Sequence, residues 1–97
     1  MRSLIWNKLA KVDYYENIDY LLREWSEKEA QEFIDEVQEI ENILRKGVVE
    51  FQDTDRQDVK RCVICRQVTL FYRVIDSNTI ELLRFWNNHK DIKALHL

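Results

Sequence analysis

The sequence predicts an α+β fold in which one strand and a helix hairpin precede three further strands. Residues 68–87, VTLFYRVIDSNTIELLRFWN, alternate as two strands joined by a tight polar turn would. Two long stretches before them repeat apolar residues at helical spacing. A length of 97 residues fits one domain, so we expect residues 1–97 to form a single unit.

The first half of the chain predicts the order strand, helix, helix. Residues Ser3 to Trp6 form a short apolar run that suits a first strand, and helical spacing begins at Lys8. Ser26 starts a capping box, and Gly47 provides the stop signal of a second helix. The one-residue break between the helices predicts an antiparallel hairpin. The predicted buried stripe of the first helix is Ala10, Tyr14, Ile18, Leu21, Leu22 and Trp25.

The second half predicts three strands, with the helix hairpin covering one face of a mostly antiparallel sheet (β-α-α-β-β-β). A loop near Val48–Gln57 precedes strands at about Asp58–Cys65, Val68–Ile75 and Ile80–Asn87. Counting outward from the turn at residues 76–79 gives four cross-strand pairs. They are Ile75 with Ile80, Arg73 with Leu82, Phe71 with Arg84, and Thr69 with Trp86.

Those eight side chains should share the sheet face that the helices leave partly open. The opposite face, which can bury against the helices, would carry Leu70, Tyr72, Val74, Leu83 and Phe85. Arginines among large apolar groups are rare in a core and common on a binding surface. If Cys65 pairs with Val68, Lys60, Cys62 and Ile64 join the arginine-bearing face.

The candidate binding residues are therefore Lys60, Arg73, Arg84, Trp86 and His89. Each also has a plainer interpretation. The arginines and Lys60 could be solvated charges, Trp86 could be a packing residue under the C-terminal tail, and His89 could be an ordinary loop histidine. The tail from residue 89 to 97 is expected to be a polar loop or a last helical turn.

Composition narrows the function classes. The net charge is −3; residues 1–50 hold 7 Lys/Arg against 12 Asp/Glu, and residues 51–97 hold 8 against 6. This acidity argues against strong direct binding of RNA or DNA. No apolar run approaches the roughly 20 residues that span a bilayer, and no signal peptide is evident, so we expect a cytoplasmic protein.

Cys62 and Cys65 form a C-x-x-C pattern that could indicate zinc or a redox pair. No second pair of ligands stands at finger-like spacing, and the motif does not begin a helix after a strand. Two ordinary, partly buried thiols are therefore expected. The sequence predicts no metal site and no cofactor.

The chain resembles the RelE/ParE toxin superfamily of bacterial type II toxin–antitoxin systems. The resemblance lies in LIWNKLAKVDYYENIDYL at residues 4–21, in Ala30, Phe33 and Ile34, and in LFYRVIDSNTIELLRFWNNHKD at residues 70–91. It implies the RelE/ParE-like fold and a toxin that arrests growth, as in plasmid stabilization. It also implies an antitoxin partner whose C-terminal segment wraps around the toxin.

The resemblance leaves the target open. RelE-like members cut mRNA on the translating ribosome, and their catalytic Arg and His or Tyr positions correspond here to Thr69 and to Trp86 or Asn87. Neither Thr nor Trp supplies a charge or a base near neutral pH. ParE-like members inhibit DNA gyrase, and the block from Leu83 to Trp86, followed by His89-Lys90-Asp91, is closer to theirs.

The sequence thus favours a ParE-like gyrase inhibitor. A RelE-like ribosome-dependent endonuclease and a degenerate toxin that binds only its antitoxin are the alternatives. Whether the protein is an enzyme depends on which of these holds.

Overall fold

A computed structural model describes residues 1–47 and 49–97. The elements are β1 (Ser3–Trp6), α1 (Lys8–Glu24), α2 (Glu27–Lys46), β2 (Gln52–Asp53), β3 (Val59–Cys65), β4 (Val68–Asp76), β5 (Thr79–Asn87) and a 3-10 turn at Ile92–Ala94. The predicted α+β architecture is confirmed, with two helices on a mixed sheet of order β1-β5-β4-β3-β2. β1 runs parallel to β5, and the other neighbours are antiparallel.

The predicted loop before β3 contains a strand that the sequence did not indicate. β2 has two residues and extends the sheet edge by pairing with Lys60 and Arg61 of β3. Position Val48, where that predicted loop begins, lies outside the described residues.

The predicted helix boundaries are confirmed by their caps. The Ser26 hydroxyl accepts a hydrogen bond from the Glu29 amide at 3.2 Å, which is one of the two hydrogen bonds that define a capping box. Gly47 has φ +69°, and its amide donates to the Ile43 carbonyl. The left-handed backbone at this position favours glycine, whereas the Arg2 side chain that a Cβ would approach is flexible enough to move aside.

The main core lies between the helix hairpin and one face of the sheet, but α1 contributes less apolar surface than predicted. Leu22 and Trp25 are 48% and 43% exposed, so their assignment to the buried stripe is wrong. Asp13 and Asn17 are buried instead. The inner face of α1 is partly polar because these two side chains form hydrogen bonds with the main chain of β5.

The predicted pairs of the β4–β5 hairpin are correct far from the turn and wrong near it. Thr69 pairs with Trp86 and Phe71 with Arg84, as predicted, but Ile80 pairs with Val74 instead of Ile75. Asp76 pairs with Thr79 at the turn. Between these points the pairing shifts by one residue. Leu83 is an extra residue on β5, Ile75 is an extra residue on β4, and the two bulges compensate.

The bulges exchange side chains between the two sheet faces. Ile80 and Leu82, predicted on the open face, lie in the main core, and Leu83, predicted in the core, lies on the other side. The pair predicted for Arg73 is also wrong, because Arg73 lies opposite Glu81. The face away from the helices is called the outer face below. Its residues are Val59, Arg61, Val63, Thr69, Phe71, Arg73, Glu81, Leu83, Arg84 and Trp86.

Both cysteines are free thiols in the structure; Cys62 is buried and Cys65 is partly buried. Burial raises the pKa of the Cys62 thiol to about 11. The folded state should therefore lose stability as pH rises from about 9 towards 11, because the unfolded thiol ionises first.

We expect Cys62 to resist alkylation in the folded protein. In a Cys65→Ser variant at pH 8, iodoacetamide should react about 100-fold more slowly with folded than with urea-unfolded protein, because the thiolate is the reactive form. Mass spectrometry of timed samples measures the two rates. Equal rates would show that the site is not desolvated.

Candidate outer-face binding surface

The outer face has an apolar centre, which is called the outer cluster below. Its four members are at most 7% exposed, although they lie on the face away from the helices. They are Val59, Phe71, Leu83 and Trp86. Leu95 and Leu97, near the end of the described chain, pack against them. The face that the sequence predicted to be open is therefore covered at its centre.

Three arginines lie beside the outer cluster, and two of them, Arg61 and Arg73, form no ion pair among the described residues. Arg61 is exposed and pairs across the strands with Phe71, two residues before Arg73 on β4. Such diagonal positions on one face are close enough for long side chains to act together. Glu81 lies opposite Arg73, but its carboxylate accepts from Asn7 Nδ2 at 3.3 Å. Within residues 1–47 and 49–97, no carboxylate lies within ion-pair distance of either guanidinium.

Arg84 is engaged inside the molecule. Its Nε and Nη2 donate to the Asp13 carboxylate of α1 at 2.6 and 2.9 Å. Asp13 also accepts from the Phe85 amide, and Asn17 Nδ2 donates to the Phe85 carbonyl. The bond to Asp13 raises the pKa of Arg84. Two side chains of α1 thus form hydrogen bonds with the main chain of β5 where β1 no longer pairs with it. Asp13 also holds the Arg84 guanidinium in place.

Lys60 lies on the opposite side of the sheet from the predicted one. Cys65 does pair with Val68, but a register shift between Val63 and Cys65 places Lys60 opposite Tyr72, on the helix side. Its ammonium donates to Asp53 at 2.6 Å, and this bond raises its pKa. The sequence therefore missed Arg61, which takes the outer-face position that was expected of Lys60.

Trp86 is a packing residue under the tail, one of its two predicted interpretations. It is 5% exposed, and the Arg84 guanidinium lies 5.3 Å from its ring centroid. Its indole N–H is buried without a hydrogen-bond partner among the described residues. Its cross-strand neighbour Thr69 is also buried, and the Thr69 hydroxyl donates to Asn88 Oδ1 at 2.9 Å.

His89 lies at one end of the sheet and is not a member of the outer cluster. It is exposed, and its ring stacks on Tyr20 of α1 with centroids 6.4 Å apart. Both residues line a cleft of about 250 Å³, together with Trp25 and Arg66. The Arg66 guanidinium lies 4.7 Å from the Trp25 ring centroid. The structure therefore separates His89 from the arginines with which it was grouped.

A larger cleft of about 490 Å³ borders the outer cluster. The turn after β2 forms one wall, and residues 92–97 form another. Nη1 of Arg56 donates to the main-chain oxygen of Leu97 at 3.0 Å across this cleft. Arg56 and Arg61 place two guanidinium groups around this cleft, which Asp53 and Asp55 also line; the Asp53 carboxylate is already bonded to Lys60. The binding roles of Lys60, Arg73, Arg84, Trp86 and His89 stay predictions.

In the described part of the chain, no group of three or more His, Cys, Asp or Glu side chains could hold a metal ion. No helix formed by residues 1–47 and 49–97 is long and apolar enough to cross a membrane.

Comparison with known proteins gives a family and two solved structures. The model of the family described as the ParE toxin of the type II toxin–antitoxin system, parDE, matches residues 4–92. A chain of the chromosomal ParDE system from P. aeruginosa is similar, with TM-score 0.67, 18% identity, and coverage of 90% of this chain and 96% of that chain. The search of curated proteins found no match.

A copper-bound mutant toxin from Helicobacter pylori is also similar in structure. Its TM-score is 0.63 at 20% identity, with coverage of 92% of this chain and 97% of that chain. At these identities the two structures support the fold, with its helix hairpin and mixed five-stranded sheet.

Proposed function

Because this chain belongs to the ParE toxin family of type II toxin–antitoxin systems, we propose that the free protein arrests bacterial growth in the cytoplasm by binding DNA gyrase. We further propose that its cognate antitoxin neutralises it by covering the outer face. In this proposal the toxin acts as a binding protein, and no covalent step on a substrate is required.

The observation that carries the proposal is the composition of the outer face. Arg61 and Arg73 lie free of ion pairs, among the described residues, beside the apolar outer cluster. Arginine and large apolar side chains are the residues that carry most of the binding free energy at protein interfaces. The guanidinium groups can donate paired hydrogen bonds to the carboxylates of a partner.

The geometry supports binding over RNA cleavage. Cleavage at the ribose 2′-hydroxyl needs a base close to it and a cation over the scissile phosphate. The positions that correspond to the catalytic residues of RelE-like nucleases are Thr69 and either Trp86 or Asn87, and all three side chains are buried. None of them can act as a base or carry a charge near neutral pH.

The test measures growth first and then the two targets. Expression from a controlled promoter without any partner gene should stop growth, and purified protein should block supercoiling by gyrase or trap cleaved DNA. The same preparation should leave mRNA intact in a translating extract. Cut mRNA with unaffected supercoiling would overturn the gyrase proposal in favour of a ribosome-dependent nuclease.

A folded protein that is inert in both assays, yet is bound by the protein encoded beside it, would instead identify a degenerate toxin. Unaffected growth at high soluble expression would contradict the toxic role of the free chain.

A further inference from the structure

The 92–97 segment occupies the surface that the proposed function assigns to a partner. Leu95 and Leu97, two residues apart, place their side chains on the outer cluster, and Arg56 donates to the main-chain oxygen of Leu97. In an extended segment, residues two apart project to the same side. The chain therefore carries a short peptide that is docked on its own binding face.

The 92–97 segment has little buried surface, and its backbone hydrogen bonds are local. Ile92 is 58% exposed, and both leucines are only half-buried. The backbone bonds from Ala94 to Asp91 and from Leu95 to Ile92 are local to the segment. The outer cluster beneath it, in contrast, belongs to paired strands. Segments with few buried contacts open at a lower free energy than the sheet that supports them.

The surface under the segment has an unmet hydrogen-bond donor. The Trp86 indole N–H is buried and has no partner among residues 1–47 and 49–97. Such groups are few in folded proteins, and each needs a physical reason. A docked chain that brings a carbonyl or carboxylate oxygen to this N–H would satisfy it.

We infer that the 92–97 segment is a replaceable cover and that the antitoxin displaces it with a segment of its own. The displacing segment carries two apolar side chains two residues apart, together with carboxylates that face Arg56 and Arg61. The identity of the partner rests on the proposed function, whereas the replaceability of the cover does not. Free toxin thus keeps its outer cluster shielded from water until a tighter ligand takes the place of the cover.

The first test detects whether the cover can be released. The protein is labelled with 5-fluorotryptophan, and the Trp86 ¹⁹F resonance is assigned by its loss in Trp86→Phe. Combined Leu95→Ser and Leu97→Ser substitutions should move this resonance towards the position of a solvent-exposed indole. The matched control, Leu9→Ser with Leu22→Ser, changes two exposed leucines of α1 and should leave it in place.

The second test adds the cover back as a separate molecule. A synthetic peptide of residues 91–97, DIKALHL, should bind the Leu95→Ser/Leu97→Ser protein at least about tenfold more tightly than the unsubstituted protein, whose surface is already occupied. Binding should return the Trp86 resonance to its original position. A peptide in which both leucines are serine should not bind.

The third test examines the chemistry of the displacing partner. The same peptide with Lys93→Glu and His96→Glu should bind more tightly than DIKALHL, and the gain should shrink as salt is added, because it depends on exposed charges. Equal affinity of the two peptides would overturn the acidic character assigned to the antitoxin segment.

Absence of DIKALHL binding to a Leu95→Ser/Leu97→Ser protein with native circular dichroism would overturn the replaceable cover itself. These readouts use purified protein and peptides alone. A failure of the gyrase assay therefore leaves them intact, and a failure here leaves the gyrase assay intact.

Discussion

Replacement of Asp13 by alanine is expected to lower the free energy of unfolding by about 3–5 kcal/mol, because it leaves a largely buried guanidinium without its partner. Asp13 is 5% exposed and receives both Arg84 bonds together with the Phe85 amide. Loss of the Asp13 carboxylate removes both the ion pair with Arg84 and the hydrogen bond from the Phe85 amide. Urea denaturation followed by circular dichroism measures the change.

Two further variants separate the ion pair from general effects of substitution. Asp13→Ala combined with Arg84→Met should be less destabilised than Asp13→Ala alone, because no unpaired charge stays buried. Glu24→Ala removes the partner of Arg23 in a pair whose side chains are both more than half exposed, and it should change stability by less than about 1 kcal/mol. Equal losses for Asp13→Ala and Glu24→Ala would contradict the buried network.

Loss of positive charge from the outer face is expected to abolish growth arrest while the fold is kept. The variant combines Arg61→Glu with Arg73→Gln. Glutamine is used at the second position because a glutamate there would lie directly opposite Glu81, where like charges destabilise a sheet. If both arginines anchor the target, affinity should fall by about 100-fold or more. Colony counts after induced expression measure toxicity, and a thermal melt measures folding.

The matched control makes the same change of charge elsewhere. Lys8→Glu with Lys11→Gln alters two exposed lysines of α1, and this protein should remain toxic. A folded Arg61→Glu/Arg73→Gln protein that still arrests growth would exclude these arginines as anchors of the target. Loss of toxicity in the control as well would point to net charge rather than to the outer face.

The sequence indicated the helix hairpin and the strand order because these features depend on neighbours along the chain. Ser26 and Gly47 act within one helical turn. The turn predicted at residues 76–79 does join β4 to β5, and Thr69 with Trp86 and Phe71 with Arg84 pair as predicted. The sequence also identified Trp86 as a residue that could pack beneath the tail.

The candidate site was harder to predict because two of the errors followed from one extra residue in a strand. A bulge moves every later side chain to the other face. The shift after Val63 placed Arg61 rather than Lys60 on the outer face, and the bulge at Leu83 placed that leucine in the outer cluster.

By itself the sequence determined the two helices and their ends, four of the five strands that the structure describes, and that arginines lie near large apolar groups. The tertiary structure alone decided which arginines are free, since Asp13 is 71 positions from Arg84 and no local pattern joins them. It also decided that Leu95 and Leu97 cover the outer cluster. The physical reason is that helix caps and apolar periodicity depend on interactions between residues close in sequence. Bulges, buried ion pairs and the packing of the 92–97 segment depend on contacts between segments far apart in the chain.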